Sequence, residues 1–81
     1  MPIQEKRAGF VVIWRIWGTG AHGQQYLLGW TKADDIVHPD LETARVAMIA
    51  KRDGVLPDNI ASIGVRDFNT GKVMVQEAVT R

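Results

Sequence analysis

The strongest apolar run in the chain is FVVIWRIW at positions 10–17, interrupted only by Arg15. Its β-branched and aromatic content predicts a strand rather than a helix. Gln24 to Thr31 alternates, with Tyr26, Leu28 and Trp30 at every second position, and predicts a second strand. Pairing Ile16 with Gln24 in a hairpin sets Phe10, Val12, Trp14 and Ile16 on one face with Tyr26, Leu28 and Trp30. A slip of one residue would mate that face with Leu27, Gly29 and Thr31, a poorer core. The first register is therefore expected.

Thr31-Lys32-Ala33-Asp34 has the T-x-x-D form of a helix N-terminus, so a helical turn is expected after it. Pro39 suits the first turn of a longer helix, and Asp40 and Glu42 suit its positive end. That helix is predicted from about Pro39 to Asp53, with Lys51 and Arg52 in its last turn and Gly54 as its stop. Leu41, Ala44, Val46, Ala47, Met48 and Ala50 share one broad arc. Glu42, Arg45, Arg52 and Asp53 lie opposite, with Ile49 among them.

Ile60–Phe68 and Lys72–Val79 predict a second pair of strands. The intervening Asn69-Thr70-Gly71 matches a three-residue hairpin loop with Gly71 in the left-handed conformation. Pairing Phe68 with Lys72 turns Ala61, Ile63, Val65, Val73, Val75 and Val79 inward. Ser62, Gly64, Arg66, Phe68, Lys72, Met74 and Gln76 then face away.

These elements predict one small α+β domain over residues 1–81, in the order ββαββ. Residues 1–8 are expected to form a loose N-terminal arm. The first strand is apolar on both faces, which suits a central position. The expected sheet is four-stranded and antiparallel, in the order 2-1-3-4, with the helix packed on one face by a right-handed crossover.

Composition narrows the chemistry. A chain of 81 residues hides only about 60–65 % of its unfolded surface, so association would add stability to a thin core. Ten basic residues against nine acidic give a net charge of +1, far from the strongly basic balance of a duplex nucleic-acid binder. With no cysteine, disulfides, thiolate metal sites and cysteine nucleophiles are excluded. Lys6 and Arg7 before AGFVVIW imitate the start of a secretion signal, but Arg15 ends the apolar run early and no cleavage site follows. No stretch approaches the ~20 apolar residues of a membrane span. A cytoplasmic location without membrane contact is expected.

Gly18, Gly20 and Gly23 spell G-x-G-x-x-G after a strand, with Asp40 about twenty residues on, as in a dinucleotide fingerprint. The fingerprint also needs a helix directly after the glycines, whose free amides and dipole hold the pyrophosphate. QQYLLGWT alternates like a strand, so a hairpin loop is predicted and no cofactor is expected. His22 and His38 are the only histidines. Asp34, Asp35 and His38 imitate metal ligands, but no ligand spacing supports a site. They are expected in a solvated segment leading into the helix, with no metal. Ser62 is the only serine and lies in no nucleophile elbow. No catalytic residue is assigned, and a non-enzymatic protein is expected.

The face away from the helix carries the functional expectation. It is predicted to hold Val11, Ile13, Arg15, Trp17, Leu27, Arg66, Phe68, Lys72 and Met74. A solvent-facing sheet should be mostly polar, and this mixture of aromatic, aliphatic, Arg and Met side chains is what interface cores favour. The leading expectation is a protein–protein interaction module that pairs with another protein or with itself as a homodimer, through this face or an edge strand. The alternative is a single-stranded nucleic-acid binder, with Trp17 and Phe68 stacking bases and Arg15, Arg66 and Lys72 meeting phosphates. The near-neutral charge and the aliphatic Val11, Ile13 and Leu27 favour the first. Small ββαββ domains of this kind are frequent among accessory proteins of phages and mobile elements, an association with architecture rather than with these residues.

Overall fold

A computed structural model describes residues 9–79, so the expected arm over residues 1–8 lies outside the described residues. The fold is α+β, with one helix on a curled antiparallel sheet. Its elements are β1 (Phe10–Thr19), β2 (Gln25–Leu27), β3 (Thr31–Lys32), α1 (Leu41–Arg52), β4 (Ile60–Asp67) and β5 (Val73–Ala78). The strands run in the order β2-β1-β4-β5, and β3 lies off this path, paired to β1. The four-stranded sheet expected in the order 2-1-3-4 becomes five-stranded, because the second strand is broken in two. Both pieces lie on the edge of β1 that β4 leaves open.

The break has a simple cause. Gly18 pairs with Tyr26, whereas Trp14 pairs with Thr31. The facing register therefore slips by one residue between the two pieces, across Gly29 and Trp30. The expected pairing of Ile16 with Gln24 is replaced by one in which the Leu28 N–H donates to the Ile16 carbonyl at 3.1 Å. The hairpin loop is correspondingly tighter. Tyr26 and Leu28 keep their expected face, but the slip turns Trp30 to the other side, beside Arg15. The helix does not reach Tyr26 or Leu28, and both are exposed.

α1 runs from Leu41 to Arg52, inside the expected limits. Asp40 is its N-cap, and its carboxylate accepts the Thr43 N–H at 2.7 Å. That hydrogen bond holds the Asp40 carboxyl below the ordinary carboxylate range. Of the expected apolar arc, Ala44 and Met48 are buried, and Leu41 and Ala47 pack beside them. They meet Val12, Ile63 and Val65 on the sheet. Two alanines at the contact let the helix lie close to the strands. Val46 and Ala50, at the margin of the arc, are exposed.

Thr31 to Asp34 starts no helix. Thr31 and Lys32 are strand, and Asp34 closes a bend by accepting the Ile36 N–H. Its carboxylate also meets Lys51 at 2.9 Å, tying the bend to the end of α1. Burial pushes the Asp34 carboxyl up, but the Lys51 ammonium and the Ile36 amide outweigh it and leave it below the ordinary value. Arg52 reaches β5 through Glu77 at 2.7 Å.

The β4–β5 hairpin turns at Asn69-Thr70-Gly71, with Gly71 at φ +78°. Asp67 organises the turn by accepting the Asn69 and Thr70 amides. The expected registry holds from Ser62 to Val65, where Val65 faces Val75. Beyond it Arg66 faces Val73, so Met74 is the extra residue of a bulge. Lys72 consequently comes opposite Asp67, whose N–H donates to the Lys72 carbonyl, and leaves the Arg66–Phe68 row expected for it. Gly64 is required where β4 and β5 meet, because a Cβ there would run into the Val75 carbonyl oxygen.

Candidate interaction surface

The main correction concerns the face opposite the helix. Val11 and Ile13 were expected on its open surface, yet they are 1 % and 0 % exposed. Ile13 lies between Gly64 on β4 and Lys32 on β3, and Val11 faces Arg66. The Lys32 ammonium sits 5.8 Å from the centre of the Phe68 ring. Phe68 is anchored beside Gly9, since its N–H donates to the Gly9 carbonyl at 2.8 Å. The Lys32 stem therefore runs from the Ile13 position toward the start of β1, with Val11 between. Long cationic side chains lay their methylenes over apolar neighbours and keep the charge outside. Val11 and Ile13 belong to the core.

The exposed apolar side chains gather elsewhere. β1 and β2 continue past the start of β4 as a ribbon whose base is tied to Asn59. The Trp17 N–H donates to the Asn59 carbonyl at 2.7 Å, and the Asn59 side-chain amide donates to the Trp17 carbonyl at 3.0 Å. There Trp17 pairs directly with Leu27, and the two are 39 % and 40 % exposed. On the reverse side Tyr26, 49 % exposed, lies over Gly18 so closely that a Cβ at Gly18 would meet the ring at 2.8 Å. Leu28 is exposed next to it. Among the described residues no second layer lies over either face of the ribbon, and its apolar side chains are exposed on both.

Arg15, on the Trp17 side of β1, is committed. Its Nε donates to the Leu28 carbonyl at 2.9 Å, and its guanidinium stands 5.4 Å from the centre of the Trp30 ring. This pair closes the base of the ribbon where the register slips. A second apolar group forms at the opposite end of β1. Phe68 and Val37 flank Gly9 there, with Ile36 exposed nearby. The structure thus brings Trp17 and Leu27 together, and separately Phe68, Lys32 and Arg66. From Gly9 to Trp17, β1 covers about 26 Å at the rise of an extended strand, so Trp17 and Phe68 form no common stacking platform. Met74 is exposed in the bulge of β5. Sequence reasoning missed Lys32 and Trp30, which only the register slip brings to this side.

Three amides of the glycine loop between β1 and β2 are bonded within it. Gly20 and Gly23 donate within the loop, and the His22 N–H donates to the Gln24 side chain. Gly23 has φ +80° and turns the chain back into β2, with no helix following. His38 departs from the expected solvated segment. Its backbone exchanges two hydrogen bonds with Phe10, and its Nε2 is buried without a protein partner. Among the described residues, no three His, Cys, Asp or Glu side chains group as metal ligands, and no helix is long and apolar enough to cross a membrane.

Comparison with protein-family models, with curated proteins and with solved structures gives no match.

Proposed function

We propose that this chain is a non-enzymatic protein–protein interaction module that associates with itself through the projecting end of its β1–β2 ribbon. The observation that carries this reading is the exposed Trp17–Leu27 pair, backed by Tyr26 on the reverse side. Aromatic residues at the centre of a patch, with few charges beside them, are what protein interfaces select. An exposed two-sided apolar ribbon also gains more from a partner than one already lying on a core.

The nucleic-acid reading draws less support. Arg15 is held by Trp30 and the Leu28 carbonyl, Lys72 has left the Arg66–Phe68 row to stand opposite Asp67, and the two proposed stacking aromatics lie at opposite ends of β1. A strand-binding groove needs free cations tracking a row of aromatics.

Sedimentation velocity over a wide concentration range tests the proposal. The wild-type chain is expected to associate, and Leu27→Lys, on an exposed side chain, to weaken association while keeping the thermal melt. A wild-type chain that stays monomeric and binds oligonucleotides in a salt-dependent manner, with binding lost in Trp17→Ala, would overturn it in favour of the nucleic-acid reading.

A further inference from the structure

The two edges of the sheet are built differently. Beside β1 the edge is made of short pieces, β2 and β3, then His38 bridged to Phe10 and followed by Pro39. Such an edge offers no continuous ladder. On the far side, β5 presents the longer stretch Val73–Ala78, regular except for the bulge at Met74, and no described residue pairs with its outer edge. The Val79 N–H donates inward to the Ala61 carbonyl at 2.9 Å. Alternation then points the N–H and C=O of Gln76 and Ala78 outward. Proteins usually blunt such an edge with lysine, proline, a free charge or a bulge. β5 contains neither lysine nor proline, its one charge, Glu77, is held by Arg52, and the bulge at Met74 is the one such device it carries.

The bulge at Met74 changes the phase of this edge. Glu77 lies opposite Ile63, and Lys72 lies opposite Asp67. Ile63 and Asp67 share one face of β4, the face that carries α1. Lys72 and Glu77 therefore lie on one face, although a regular strand would place residues five apart on opposite faces. A twofold axis between Met74 and Val75 would set Lys72 against Glu77 of a second copy, and Glu77 against that copy's Lys72. Val73 and Gln76 would meet between them. Lys72 makes no ion pair among the described residues, and Asp67 across from it already accepts the Asn69 and Thr70 amides.

We propose that β5 pairs antiparallel with β5 of a second copy in this register, joining two sheets edge to edge. The proposal rests on reading the chain as a self-associating module, but it uses a surface distinct from the ribbon. The charge complementarity of Lys72 and Glu77 selects the second copy as the occupant, because the symmetric register gives Lys72 a carboxylate at both ends, with Glu77 shared between Arg52 and the incoming Lys72.

Sedimentation velocity of the full chain separates the two contacts. Gln76→Pro removes an outward N–H, leaves the bonds to β4 in place, and suits an edge strand. It is expected to abolish the edge contact. Lys72→Glu sets carboxylates against Glu77 at both ends and should weaken that contact about tenfold. Mixing Lys72→Glu with Glu77→Lys should restore it in the mixed pair, which keeps the proposal testable should Gln76→Pro fail to fold. With both contacts active, the wild-type chain grows beyond a dimer as concentration rises. Gln76→Pro alone and Leu27→Lys alone each stop at the dimer, and the combined variant is a monomer. If Gln76→Pro and Lys72→Glu sediment like the wild type while Leu27→Lys does not, the edge proposal is overturned and the ribbon reading stands. If only the edge variants change the mass, the ribbon reading fails and the edge proposal stands.

Discussion

Ile13 is the residue at which an open sheet face and a covered one differ most. Its side chain is 0 % exposed, so Ile13→Ala leaves a void in the second face of the sheet. Buried Ile→Ala changes cost about 2–5 kcal/mol. Directly across from Ile13 stand Gly64, which has no side chain, and Lys32, whose flexible stem can settle into the space. The lower half of that range is therefore expected, about 2–3 kcal/mol. For a domain of this size each kcal/mol moves Tm by about 4–8 °C, giving a fall of roughly 8–24 °C. Leu27→Ala, on the exposed ribbon, is the internal control and should cost no more than about 0.5 kcal/mol. Thermal unfolding followed by circular dichroism, at a concentration low enough to keep the chain monomeric, reads both. Equal Tm values for the two variants would refute the placement of Ile13 in the core.

Three further perturbations follow from the same geometry. Gly64→Ala forces β4 and β5 apart at the Val75 carbonyl and should cost about 1–3 kcal/mol by denaturant unfolding, whereas Gly29→Ala, with open space at its Cβ, should stay within about 0.5 kcal/mol. Gly71→Ala places a side chain at φ +78° and should cost about 1–2 kcal/mol in the same assay. The Asp34 carboxyl titrates lower in the folded chain than its ordinary value of 3.8, so its contribution is present above that pH and fades as pH falls through the lower folded value. Asp34→Asn should flatten the acid limb of a plot of Tm against pH, and an unchanged limb would show that the Lys51 pair does not contribute.

Much of the fold was legible in the sequence. Asp40 and Glu42 marked the start of α1, the β-branched content of positions 10–17 marked the central strand, and Asn69-Thr70-Gly71 marked the hairpin. What could not be read was register at the single-residue level. The slip at Gly29 and Trp30 and the bulge at Met74 each move one residue, and each reassigns the side chains beyond it. Nothing in the local pattern announces either, because both are settled by how three strands fit together. The candidate surface suffered for the same reason. Trp17 and Leu27 were placed together correctly, since the change from the expected pairing preserved their common face. Val11 and Ile13 were misjudged because alternation shows which face a side chain takes, not what lies over it. Lys32 was invisible as a cover for that face while Thr31–Asp34 read as the start of a helix.

The most direct test of the central claim is the sedimentation mass of the wild-type chain against that of Leu27→Lys across concentration. The account predicts that the wild-type mass rises well above the monomer and that Leu27→Lys holds it to a lower assembly, with the two thermal melts alike when monomeric. A wild-type chain that remains monomeric at every concentration, or a Leu27→Lys chain that assembles just as the wild type does, would contradict it.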